Sequence, residues 1–200
     1  MPHLRFAASS PEEHRAELIA IIRSQDWLMD ALRNVKALDV EDDWIVAGAI
    51  YDTVWNRLTG RPSLQGIRDI DLFYFDPSDL SYEAEDLVIR RGEAIFAGSP
   101  VPVEIRNQSR VHLWYGQHFG FEIDPIQNCR DSISRFASIG YCVGARLDDE
   151  DNIEVFAPHG LTDLFSFRIR PNRFCDNRQT HDKKAARAMS LWPELSVEPW

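Results

Sequence analysis

The 200-residue sequence predicts an α+β protein: a mixed β-sheet flanked by helices, with an added β-hairpin and helix toward the C-terminus. Three observations predict this class. A strand, helix and strand of crossover length run from Arg68 to Arg106, the arrangement that lays two strands side by side in parallel. Two segments before it carry apolar residues at helical spacing. Tyr141 to Leu147 and Ile153 to Phe156 read as two strands around an acidic turn, as in a hairpin. The chain reads as one unit over residues 1–200, with a core at about 40–125 and the hairpin and further helices at about 126–200.

Taken in order, Ser10-Pro11-Glu12-Glu13 is a helix start, with Ser as cap, Pro in the first turn and Glu closing a capping box. Leu18, Ile21 and Ile22 form its inner face, and Leu28, Ala31, Leu32 and Val35 that of a second helix. Trp44 to Ala47 is a short apolar strand. It leads through Gly48-Ala49 into a helix bearing Ile50, Val54 and Leu58, with Gly60 as C-terminal cap and Pro62 as stop. A strand that turns through small residues into a helix N-terminus offers unpaired N–H groups and the positive end of the helix dipole to an anion. The plainer alternative is a tight turn that binds nothing.

Arg68 to Phe75 is the strand around which the rest is organised, bounded by Gly66 and Pro77. Alternation puts Asp69, Asp71, Phe73 and Phe75 on one face and Ile70, Leu72 and Tyr74 on the other. Two carboxylates side by side are costly unless a cation or donors compensate them. Ser81 can cap the next helix, with Ala84, Leu87, Val88 and Ile95 inward and Gly98 closing it. Val101, Val103 and Ile105 then alternate with Glu104 and Arg106 on a strand whose early prolines suit a sheet edge. The crossover returns Glu104 beside the aspartates, and a third carboxylate there is what a pair of magnesium ions requires. Further on, Ser109 caps a short helix through Tyr115, Asp131 to Ala137 and Leu161 to Phe167 are helical, and Thr180 caps a helix to Leu191. The last ten residues read as a tail on the surface. The acidic run at 148–152 lacks the Gly and terminal Glu of a calcium loop and reads as a solvated turn.

Composition limits the function. With 44% hydrophobic and 27% charged residues the chain is globular rather than disordered. No apolar run approaches a membrane span, and Met1 to Phe6 lacks a signal peptide's apolar stretch. Cys129, Cys142 and Cys175 are too few and too scattered for a disulfide framework, so a cytoplasmic location is expected, with no membrane partner. A net charge of −10 argues against a long nucleic-acid partner but leaves a nucleotide open, because metal ions can supply positive charge locally. The six histidines show no metal-ligand spacing, and His112 reads as a structural residue.

Ala47-Gly48-Ala49-Ile50-Tyr51-Asp52, then Leu58-Thr59-Gly60-Arg61 and Asp69-Ile70-Asp71-Leu72, resemble the signature of tRNA nucleotidyltransferases. Their superfamily includes polymerase β and antibiotic adenylyltransferases. Residues from about 43 to 175 are more closely similar to a family of short bacterial nucleotidyltransferases without assigned substrates. The landmarks are Gly48-Ala49, Thr53-Val54-Trp55, Asp69-Ile70-Asp71 with Tyr74-Phe75-Asp76, and Asn107-Gln108 with His112 to Tyr115. The resemblance implies a nucleotidyltransferase-like fold and Mg²⁺-dependent transfer of a nucleoside monophosphate from an NTP, ATP among the expected donors. The acceptor would be a hydroxyl on a small molecule or protein.

By the same resemblance, Asp69 and Asp71 would hold two Mg²⁺ ions, or Mn²⁺ in their place, and Glu104 would complete one site. The backbone at Gly48 and Ala49 would cradle phosphates. Arg68, Arg57 or Arg61 would neutralise them, with Arg106 and Gln108 as further nucleotide contacts and Asp52 at the helix dipole or the ribose. Two departures stand out: alanine at 47 or 49 where the superfamily has Gly or Ser, and Tyr51 where the tRNA enzymes carry Arg. The sequence also has no obvious basic RNA-binding domain, so no tRNA acceptor is expected. The alternative reading is a catalytically silent nucleotide-binding or interaction module on the same fold.

Overall fold

In the structure, a computed structural model describing residues 1–200, eight α-helices surround a five-stranded mixed sheet, and two short strands form a second sheet. The α+β class is as the sequence predicts. Pro11–Arg23 (α1) opens on the expected capping box: the Glu13 amide donates to the Ser10 hydroxyl at 3.2 Å, and the Ser10 amide to the Glu13 carboxylate at 2.8 Å. Asp26–Leu38 (α2) buries Leu28, Ala31, Leu32 and Val35. Trp44–Val46 (β1) is buried throughout, and Gly48–Thr59 (α3) follows after the single residue Ala47. Gly60 closes α3 at φ 69°, a left-handed conformation that glycine adopts without steric cost.

Ile70–Tyr74 (β2), Tyr82–Ile95 (α4) and Val103–Asn107 (β3) make the expected parallel crossover. Gly144–Leu147 (β4) and Ile153–Phe156 (β5) make the expected hairpin. The strand order is β3-β2-β1-β4-β5, with β1 antiparallel to both neighbours. The hairpin thus extends the sheet that carries the aspartates, and one apolar cluster runs from Leu18 to Leu195.

Several elements differ from expectation. α4 begins at Ser81 as its cap, but Leu87 is 70% exposed, and the buried positions are Glu85 and Gly92. Gly92 lies against Ile105, where a β-carbon would come within 2.0 Å of the Ile105 Cδ1, so the helix rides close on β3. Glu85 is buried because it pairs with Arg110 and accepts from the Asn107 amide at 2.8 Å. Ser109 lies in a short 3-10 turn and donates to the Asp76 carbonyl at 2.6 Å; it does not cap Val111–Phe119 (α5), which ends at Gly120.

Cys129–Ser134 (α6) starts and ends earlier than the expected stretch, with Asn128 as its cap. Thr162–Phe165 (α7) is a single turn. Arg178–Leu191 (α8) begins at Asn177, so Thr180 lies within its first turn and is not the cap. The final residues are not a surface tail. Trp192 is fully buried and donates to Asn56 Oδ1 at 3.0 Å, and Ser196–Val197 (β7) pairs in parallel with Arg168–Ile169 (β6). No helix is long and apolar enough to cross a membrane.

Candidate active site

The register of β2 and β3 puts Asp71 directly opposite Glu104 and Phe73 opposite Arg106. In a parallel pair such partners project from the same face, so the crossover brings two carboxylates together across one strand spacing. Asp69 lies one residue before β2 begins, on the approach to the strand. Glu104 is half exposed and pairs with Arg106 at 3.4 Å. Asp71 is more enclosed. Burial, then the charge of Asp69, pushes its carboxyl up to about 6, with Lys184 opposing and Glu104 reinforcing the shift. Hard carboxylate oxygens of this kind suit Mg²⁺ or Mn²⁺, and the mutual repulsion of Asp69, Asp71 and Glu104 is what a divalent cation would relieve. In the present arrangement no three acidic, imidazole or thiol groups are drawn tightly enough together to enclose an ion.

Beside these acids lies a cleft of about 680 Å³ that reaches the start of α3. Ala47, the residue at that start, has φ 59° and ψ −133° and offers no side-chain cap. The first amides of a helix lack the partners of its interior; at α3 those of Ile50 and Tyr51 donate to the Ala47 carbonyl, which leaves those of Gly48 and Ala49 for another acceptor. Gly48 lines the cleft, and a β-carbon there would lie 3.4 Å from Asp52 Oδ2, whereas Ala49 is buried beneath it. Asp52 forms part of the cleft wall yet is only 2% exposed. Its Oδ1 has no hydrogen-bond partner, and its Oδ2 is 3.9 Å from Arg187 Nη1. Burial raises its carboxyl well above the ordinary range, against the pull of Arg187 and Lys184. Tyr51, also in the wall, stacks on Tyr141 with ring centroids 4.3 Å apart.

The opposite wall is α8, which presents Thr180, Lys183, Lys184 and Arg187 to the cleft. Arg187 also donates to the Gly66 carbonyl, tying α8 to the turn that precedes Asp69. Sequence reasoning missed these cations. Their signal was present, since 180, 183, 184 and 187 are i, i+3, i+4 and i+7 on one helical face. Of the three arginines left open as phosphate partners, Arg68 borders the cleft, whereas Arg61 is held by Glu194 at 2.8 Å and Arg57 is not part of the lining. Arg106 and Gln108 border a different cavity on the β3 side. There the Gln108 side chain accepts from the Ser132 hydroxyl at 2.6 Å and donates to the Arg106 carbonyl at 3.2 Å.

A nucleotidyltransferase family profile matches residues 33–197, and the chain belongs to that family. Among solved structures it is similar to an NMR structure described as a CCA-adding enzyme head domain, at 25% identity and a TM-score of 0.76. That likeness covers 92% of this chain and 96% of the other. A search of curated protein sequences gave no match.

Proposed function

We propose that this protein transfers a nucleoside monophosphate from an NTP to an acceptor hydroxyl, releasing pyrophosphate. The observation that carries the reading is the pairing of Asp71 with Glu104 across β2 and β3, beside a cleft whose far wall is cationic. Asp69, Asp71 and Glu104 would hold two divalent cations, Mg²⁺ or Mn²⁺. When bound, such ions lower the acceptor hydroxyl's pKa and offset charge on the phosphates.

The remaining work falls to the chain itself. Lys183, Lys184 and Arg187 draw the triphosphate into the cleft, and Arg68 adds charge at its rim. The backbone at Gly48 and Ala49 contacts β/γ phosphates where no side chain blocks the approach. Asp52, behind that backbone and 3.9 Å from Arg187, lines the same cleft as a further nucleotide contact. A silent binding module on the same fold would keep the cationic wall but would not depend on the acids.

The deciding experiment screens the four NTPs with Mg²⁺ or Mn²⁺ for pyrophosphate release, with cell extract as an acceptor source. Asp69→Ala and Asp71→Ala should each lower the rate by about a thousandfold or more, as expected when a charge-stabilising group is lost from the reacting centre, and both should keep the native circular-dichroism spectrum. Wild-type rates in either variant would remove these residues from the proposed metal site. NTP binding without turnover in the wild type would favour the silent module.

A further inference from the structure

The sheet order divides the space around Asp71. On the β1 side lies the cationic cleft, with Gly48, Asp52 and Arg187. On the β3 side, beyond Asp71 and Glu104, lies a second cavity of about 330 Å³. The two share Asp71, Phe119, Tyr141, Thr180 and Lys184. Their linings differ in kind. The second is mostly apolar, with Phe73, Val111, Trp114, Ile126 and Phe136 in its walls.

Several of its polar wall groups already have partners within the protein. The Tyr115 hydroxyl donates to Asn177 Oδ1 at 3.1 Å, and Arg135 donates twice to Asp131, both at 2.8 Å. Gln108 is held by Ser132 and by the Arg106 carbonyl. Away from the end where Asp71, Glu104, Thr180 and Lys184 stand, a guest bearing many hydroxyls would leave its own donors unpaired against such walls, which costs binding.

We propose that this second cavity seats the acceptor. The acceptor is a hydroxyl on an uncharged, ring-sized apolar body, an aryl or cycloalkyl alcohol, rather than a sugar or a nucleic-acid end. The inference rests on the nucleotidyl-transfer reading above. Phosphoryl-type displacement is in line, so the attacking oxygen enters opposite the leaving group. With the pyrophosphate portion held in the cationic cleft, the adjoining space beyond the shared residues, Asp71 among them, is this cavity. The hydroxyl oxygen forms a bond to the α-phosphorus as the bond to the bridging oxygen breaks. The electron pair of that bond leaves with pyrophosphate, and the hydroxyl proton passes to solvent. Glu104, half exposed in this cavity's wall and opposite the shared Asp71 in the strand register, marks where the hydroxyl end of the guest points.

The test offers the wild-type protein, with the NTP and Mg²⁺ that bind it, a set of acceptors: phenol, 2-naphthol, cyclohexanol, glucose and adenosine. Mass spectrometry then measures the nucleotidyl ester formed. Ring alcohols should react at least about tenfold faster than glucose or adenosine, the discrimination expected of an apolar pocket. Trp114 is partly exposed, and Trp114→Ala should raise the KM for the ring alcohol about tenfold while moving the Kd for NTP less than about twofold. Should that variant lose its folded spectrum, Cys175→Phe, which narrows the same cavity from a partly exposed position, reads the same split. Equal rates for naphthol and glucose would overturn the acceptor class. A rise in NTP Kd on altering Trp114 would overturn the seating, placing the nucleobase there instead. In both cases nucleotidyl transfer itself would stand. Failure of the wild type to bind any NTP with either metal would overturn both readings together.

Discussion

The acids on β2 and β3 and the basic wall of the cleft, on α8, owe their positions to different interactions. Asp71 and Glu104 are set by strand register, a property of the backbone ladder, and each is fixed by its neighbours in the sheet. Lys183, Lys184 and Arg187 are set by where a helix near the end of the chain docks. That docking depends on Trp192, buried against Trp55 with ring centroids 5.3 Å apart, and on Arg187 reaching the Gly66 carbonyl. One wall is local in origin and the other is tertiary. The two should therefore fail separately.

The largest effect should come from removing the anchor of the basic wall. Trp192→Ala empties a fully buried site and breaks the bond to Asn56, and should cost about 3–5 kcal/mol of stability by chemical denaturation. A loss below about 1 kcal/mol would mean that α8 is held by other contacts and that the contrast between the walls is misplaced. A smaller effect should follow from Lys184→Ala, which leaves both walls standing but takes one charge from the basic one. NTP affinity should fall about tenfold at low salt and the difference should shrink as salt is added, because cleft charges are screened. Titration by fluorescence at two ionic strengths reads both.

The smallest effect concerns the point where the walls meet. In the folded protein Asp52 holds its proton more tightly than in the unfolded chain, since burial raises its carboxyl above 3.8. The stability this contributes is complete below that value and is lost as pH rises through the raised folded value. Asp52→Asn removes the penalty, so it should raise stability at pH 8 by roughly 1 kcal/mol and have little effect near pH 3. Thermal melts of the two proteins across that range check the sign. A gain that grows as pH falls would show that Arg187, rather than burial, governs this group.

How far the sequence could be read follows the same division. The β2–α4–β3 crossover, the turn into α3 and the hairpin were legible because each rests on short-range pattern: alternation, a glycine cap, a turn of the right length. The inner face of α4 was not. Its pattern admits two faces, and the buried one includes Glu85, an acid whose partner Arg110 lies 25 residues on, and Gly92, whose value is the absence of a side chain. The role of Trp192 was hidden in the same way, among Pro and Glu residues that read as a tail. The basic wall had the periodicity of a helix face, but charged residues at that spacing usually mark a solvated surface. Only the docking of α8 turns them toward the acids.

The turn at Ala47 has a consequence for how a ligand would be received. A residue with a β-carbon held at φ 59° and ψ −133° sits in territory that costs about 1–3 kcal/mol, so the surrounding packing must enforce it. Glycine at the same point would leave the backbone several ways to go. The methyl group closes those exits, so on the proposed reading the amides of Gly48 and Ala49 would be held in one orientation before a phosphate arrives. An anion docking on them would meet a stiff receptor and forfeit little freedom in ordering it.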